Sequence, residues 1–75
     1  MIFETENFGK CEVICLYKDV ALVALENNYE KYVITVGLSL NNKNWLYGSY
    51  CKNFELAEDM FFNIIQDFYG ISFKI

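Results

Sequence analysis

Between Lys31 and Leu40 the chain alternates without interruption. Tyr32, Ile34, Val36, Leu38 and Leu40 fall on one side, and Lys31, Val33, Thr35, Gly37 and Ser39 on the other. Successive side chains of an extended backbone point to opposite faces, so this period of two marks a half-buried strand and commits the fold to a sheet. A polar turn, Asn41-Asn42-Lys43-Asn44, follows, and Trp45 to Cys51 returns as the next strand. Symmetric closure of that loop pairs Leu40 with Trp45, Leu38 with Tyr47 and Ile34 with Cys51 on the core face, and Gly37 with Gly48 and Thr35 with Tyr50 on the far face.

Upstream, Met1 to Gly9 alternates weakly and ends in Asn7-Phe8-Gly9, a turn signal, so it reads as a short first strand or an arm. Lys10 to Tyr17 and Val20 to Leu25 flank Lys18-Asp19. A two-residue loop there makes a hairpin that pairs Tyr17 with Val20, Leu16 with Ala21 and Ile14 with Val23, although Lys-Asp is not a favoured pair for such a turn. A helix from Val20 to about Asn28, capped by Asp19, is the competing assignment. The strand is preferred because the apolar run is short and has no polar face.

Downstream, Asn53 is placed to cap a helix of about sixteen residues, with Glu55, Glu58 and Asp59 at its positive end and Gly70 stopping it. At 100° per residue, Ala57, Met60, Phe61, Ile64 and Phe68 form the stripe expected to lie on the sheet. Phe62, Ile65 and Tyr69 make a second apolar ridge beside it. The tail Ile71 to Ile75 alternates again and reads as a last edge strand, able to cover that ridge or to extend a neighbour's sheet. With no proline, repeat or linker in the chain, the expected architecture is one α+β domain over residues 1–75. It is an antiparallel meander of about four strands, covered on one face by a single C-terminal helix.

Composition bears on function through what it excludes. There is no histidine, which removes triad chemistry, imidazole acid/base work and the commonest transition-metal ligand. Cys11 and Cys15 are about four extended residues apart, some 13 Å, too far to share an ion. With Cys51 they read as buried, reduced thiols of a cytoplasmic protein, since Met1 to Lys10 has neither a basic start nor a long apolar core. Glu55, Glu58 and Asp59 share one helical turn and complement its dipole, rather than facing one another across a cleft. No catalytic, cofactor or metal site is expected. The longest apolar run, Val20 to Leu25, is too short to cross a membrane. All six basic residues are scattered lysines and the net charge is −4, which argues against nucleic-acid binding.

What remains is surplus apolar surface, 55% of residues against a usual ~45–50%. Either the sheet is buried on both faces, or a homodimer or partner surface takes up the excess. The residues picked out for such an interface are Phe62, Ile65 and Tyr69 on the helix, with Tyr50 and Leu46 on the far face of the sheet. These are mostly the bulky types that anchor protein contacts. The expected function is a non-enzymatic protein-interaction module that associates with a protein partner, itself included. A nucleic-acid-linked or anti-defence regulator, acting on a host protein as an inhibitor or acidic mimic, is the alternative.

The opening Ile-Phe-Glu-Thr-Glu-Asn-Phe-Gly-Lys (Ile2 to Lys10), with Lys18-Asp19-Val20-Ala21, resembles the start of the phage antirepressor N-terminal domain over roughly a quarter of the chain. Tyr32 to Gly37, then Trp45, Gly48 and Tyr50, then a helix with Ala57 and Phe61, is similar to a pattern among small uncharacterised proteins of phages and other mobile elements. The resemblance implies an inhibitor or adaptor that binds a host protein, and assigns no role to any residue.

Overall fold

The computed structural model describes residues 1–70; the expected edge strand at Ile71 to Ile75 lies outside them. Five strands, β1 (Ile2–Thr5), β2 (Gly9–Tyr17), β3 (Val20–Leu25), β4 (Tyr32–Val36) and β5 (Tyr47–Cys51), precede one helix, α1 (Phe54–Tyr69). The strands pair antiparallel in chain order, a plain meander, and α1 packs across β3, β4 and β5. The expected α+β class holds, with the N-terminal segment supplying a fifth strand and Val20–Leu25 a strand rather than a helix.

The two-residue loop closes the β2–β3 hairpin as expected near the turn, with Tyr17 opposite Val20 and Leu16 opposite Ala21. Lys18 takes the left-handed backbone that such a tight loop demands, φ 55°. Beyond Cys15 the register changes, because a bulge at Ile14 leaves that residue without a partner and sets Val13, not Ile14, opposite Val23. The bulge also reverses which residues share a face. Cys15 lies opposite Leu22, in the cluster under α1, whereas Cys11 lies opposite Leu25, in the cluster on the other side. Cys11 and Cys51 are buried as expected, but Cys15 is exposed, since α1 packs mainly over β3, β4 and β5 and touches β2 at Tyr17, through Tyr69.

The β4–β5 hairpin departs from symmetric closure by two residues: Tyr32 pairs with Cys51, Val33 with Tyr50, Ile34 with Ser49, Thr35 with Gly48 and Val36 with Tyr47. The reason lies in the loop. Ser39 and Asn44 exchange backbone hydrogen bonds of 2.8 and 3.2 Å, so the turn occupies residues 40–43, helped by the left-handed Lys43 (φ 55°) and by Asn42 N–H donating to Ser39 Oγ. A slip of two keeps the paired residues of β4 and β5 on their expected faces, so Ile34 and Cys51 still point at the helix. The slip does not hold the strand to Leu40. Gly37, at φ 77°, turns the chain out of the ladder, and Leu38 and Trp45 then pack on the face away from α1.

Asn53 caps α1 through its Oδ1, which accepts from Leu56 N–H at 2.9 Å, and Gly70 ends it in a left-handed turn, φ 67°, donating to Gln66 O. The core under the helix comprises Val20, Leu22, Ile34, Cys51, Ala57, Phe61 and Ile65. The opposite face is also buried: Phe3, Cys11, Ala21, Val23, Leu25 and Val33 are covered by Phe8, Val13, Leu38, Trp45 and Tyr50. Thr35, the one buried polar residue among those described, is satisfied by Ala21 O at 3.5 Å.

Candidate interaction surface

The helix ridge expected to be an interface belongs largely to the interior. Ile65 is 0% exposed and sits in the core, a correction to its reading as a surface anchor. The buried line of α1 is Ala57, Phe61 and Ile65, rotated roughly 45° from the expected stripe at 100° per residue. The rotation brings Phe62 and Tyr69 toward the β2–β3 hairpin, where both are half-buried against the core. Phe62 lies beside Phe61, ring centres 5.7 Å apart. Tyr69 meets Tyr17 edge to face at 5.6 Å and donates its hydroxyl to Asp19 Oδ1, with the Lys18 ammonium over its ring at 4.6 Å. This is a clasp between the last helical turn and the hairpin loop. The Asp19 carboxylate favours the protonated phenol and raises the Tyr69 pKa above its ordinary value.

On the far face, Tyr50 is half-buried and leans on Phe8 at 5.9 Å, so it serves as cover for the second core layer. Leu46 meets the expectation of exposure, at 77%, lying over Gly37. Its neighbour Tyr47, which the sequence had placed on the core face, is 71% exposed at the start of β5. Phe68, expected on the sheet, is 58% exposed. Phe54, at the other end of the helix, is 40% exposed although its ring meets that of Tyr32 on β4 at 5.7 Å.

Two side chains that periodicity missed matter most on the helix-free face. Phe8, in the β1–β2 turn, stacks on Trp45 at 5.5 Å with 22° between ring planes. Phe8 sits in a turn with no alternating pattern to announce it, and Trp45, expected in the returning strand on the core face, lies before β5 and packs on the face away from α1; the concentration of aromatics beside turns was the available signal. A cleft of about 840 Å³ opens there, walled by Glu4 to Phe8 on one side and Asn42 to Trp45 on the other, with Tyr50 at its base.

Burial pushes the Cys11 and Cys51 thiols up from their ordinary value, with Thr5 opposing the rise at Cys11 and Glu30 adding to it at Cys51. Neither is poised as a thiolate. Among the described residues no group of three His, Cys, Asp or Glu is placed to hold a metal ion, and no helix is long and apolar enough to cross a membrane. No family model, curated protein or solved structure matches the chain.

Proposed function

We propose that this chain is a small non-enzymatic interaction module that self-associates by pairing β5 of one copy with β5 of another. The observation that carries the reading is the outer edge of the sheet at β5. Among the described residues nothing pairs with it, and Leu46 and Tyr47 stand exposed at its start. Soluble proteins guard such edges with charge, proline or a bulge, because unpaired N–H and C=O groups accept a foreign strand. Tyr47-Gly48-Ser49-Tyr50-Cys51 contains neither charge nor proline and pairs with β4 without a bulge. The opposite edge, β1, carries Glu4 and is followed by Glu6. An antiparallel β5–β5 junction is two-fold symmetric, so one surface serves both partners and the main-chain bonds supply affinity.

Light scattering across a concentration series tests this. The native chain is expected to run as a dimer whose melting temperature rises with concentration, and Leu46→Lys with Tyr47→Lys as a folded monomer whose melting temperature does not. A native chain that stays monomeric at every concentration ends the reading.

One observation favours a second reading, an acidic mimic acting on a host protein. All four charges on α1, Glu55, Glu58, Asp59 and Asp67, are negative, and Asp67 stands in the last turn where the helix dipole disfavours it. Capture of a bacterial protein that duplex DNA then releases would support it. Action in a bacterial cytoplasm, and an origin in a phage or other mobile element, belong to the same proposal; the sequence resemblance is their support.

A further inference from the structure

We infer that the cleft between the β1–β2 turn and the β4–β5 loop is a carbohydrate site, taking a short neutral oligosaccharide with one sugar ring against the Phe8, Trp45 and Tyr50 cluster. Its volume, about 840 Å³, falls in the range of small-molecule sites. The base is aromatic and only partly buried, with Phe8 5.5 Å from Trp45 and 5.9 Å from Tyr50. Rigid rings of this kind offer an apolar floor at little entropic cost.

The rim decides the ligand class. Glu4, Glu6, Asn7, Asn42, Lys43 and Asn44 line the opening, and all are exposed. The amides donate and accept, the carboxylates accept and the ammonium donates. A hydroxyl does both, so a polyhydroxylated ring with one C–H face matches rim and floor together. Lys43 weighs against a cation and the two glutamates against an anion, while a wholly apolar ligand would strip water from polar groups without replacing it.

Both walls are held before any ligand arrives. Phe8 N–H donates to Thr5 Oγ1 at 2.9 Å, and Asn27 N–H to Phe8 O at 3.3 Å. The paired Ser39–Asn44 bonds fix the opposite loop. A site held in place beforehand loses little ordering entropy on binding.

Trp45 is the sole tryptophan, so its fluorescence reports on the cleft directly. The full chain is titrated with cellobiose, maltose, lactose and N,N′-diacetylchitobiose, and separately with acetyl-lysinamide and inorganic phosphate. A saturable change with at least one disaccharide, at about millimolar concentration, is expected. The Asn42→Ala/Asn44→Ala double variant should weaken it at least about tenfold; Glu6→Gln, a second rim change, should weaken it too, and Leu56→Ala on the helix should not. Silence with all four sugars overturns the inference. So does a response confined to the lysine probe or phosphate, or one that both rim variants leave intact.

Discussion

Replacing Ile65 by alanine tests where the helix buries its apolar surface. The side chain is fully enclosed between α1 and the sheet, in contact with a cluster that includes Leu22, Ile34 and Phe61. Truncation removes three carbons and leaves a void that neighbours held by the β3–β4 ladder cannot close, so a cost of about 3 kcal/mol is expected, within the range for such core deletions. A 75-residue domain has roughly 4–11 kcal/mol of total stability, so the loss is a large part of it and lowers the melting temperature by roughly 12–24 °C. Leu56, also on α1 but 57% exposed, is the internal comparison, and Leu56→Ala should stay within about 0.5 kcal/mol. Urea unfolding followed by circular dichroism measures both, the midpoint falling for Ile65→Ala at an unchanged slope. Equal effects at the two sites, or less than about 1 kcal/mol at Ile65, would refute the placement of this residue in the core.

Four further outcomes follow from the same geometry. A thiol reagent applied to the native protein should label Cys15 quickly and leave Cys11 and Cys51 until unfolding, as mass spectrometry of the digest would show; fast labelling of Cys11 would put the bulge in doubt. Because the Tyr69 pKa is raised in the folded state, its bond to Asp19 is fully present below the ordinary phenol value near 10 and is lost as pH climbs through the raised one. The raised cysteines also weaken the fold above about pH 9, so the Tyr69→Phe variant should show a shallower alkaline fall in melting temperature than the native chain, not a flat one. Asn53→Ala should cost about 1 kcal/mol by removing the helix cap, read by thermal melting. Gly70→Ala meets no other described residue and should cost about 1 kcal/mol through the left-handed backbone, whereas Gly37→Ala should cost about 2 kcal/mol because its new methyl also lands against Leu46.

Much of the architecture was readable because it rests on local rules. The alternation at Tyr32–Val36, the Lys18-Asp19 loop, the Asn53 cap and the Gly70 stop each act within a few residues, and each appears where the chain announced it. The misplacements involve longer reach. Nothing in Ile14 itself announces a bulge, yet that one unpaired residue decides that Cys11 faces the buried layer away from α1 rather than sharing the exposed side of Cys15. The loop read as Asn41–Asn44 from its polarity closes one residue earlier at each end, because the Ser39–Asn44 bonds and the Ser39 hydroxyl outweigh the preference of Leu40 for burial. The helix rotation that buries Ile65 depends on which strands lie beneath it, and α1 sits over β3, β4 and β5. A helix wheel carries no such information.

The apolar surplus allowed two readings, a sheet buried on both faces or a surface awaiting a partner, and the structure shows a buried cluster on each face of the sheet with some large apolar side chains still exposed. Phe8, Leu38, Trp45 and Tyr50 fold in from a turn, a loop and an edge strand to close the helix-free face, a task that usually falls to a second helix or sheet. That closure accounts for much of the aromatic excess and removes Tyr50 from the list of anchors, as burial under α1 removes Ile65. Exposed apolar side chains remain on both edge strands and on the helix, Ile2 on β1 among them. Leu46 and Tyr47 border the uncharged strand edge on which the proposed self-association rests, while Leu56 and Phe68 lie on a helix with only negative charges. An isolated exposed leucine needs no explanation. One beside an uncharged strand that nothing pairs with among the described residues does, and under the proposed association a single contact would satisfy the main chain and bury the hydrophobic surface.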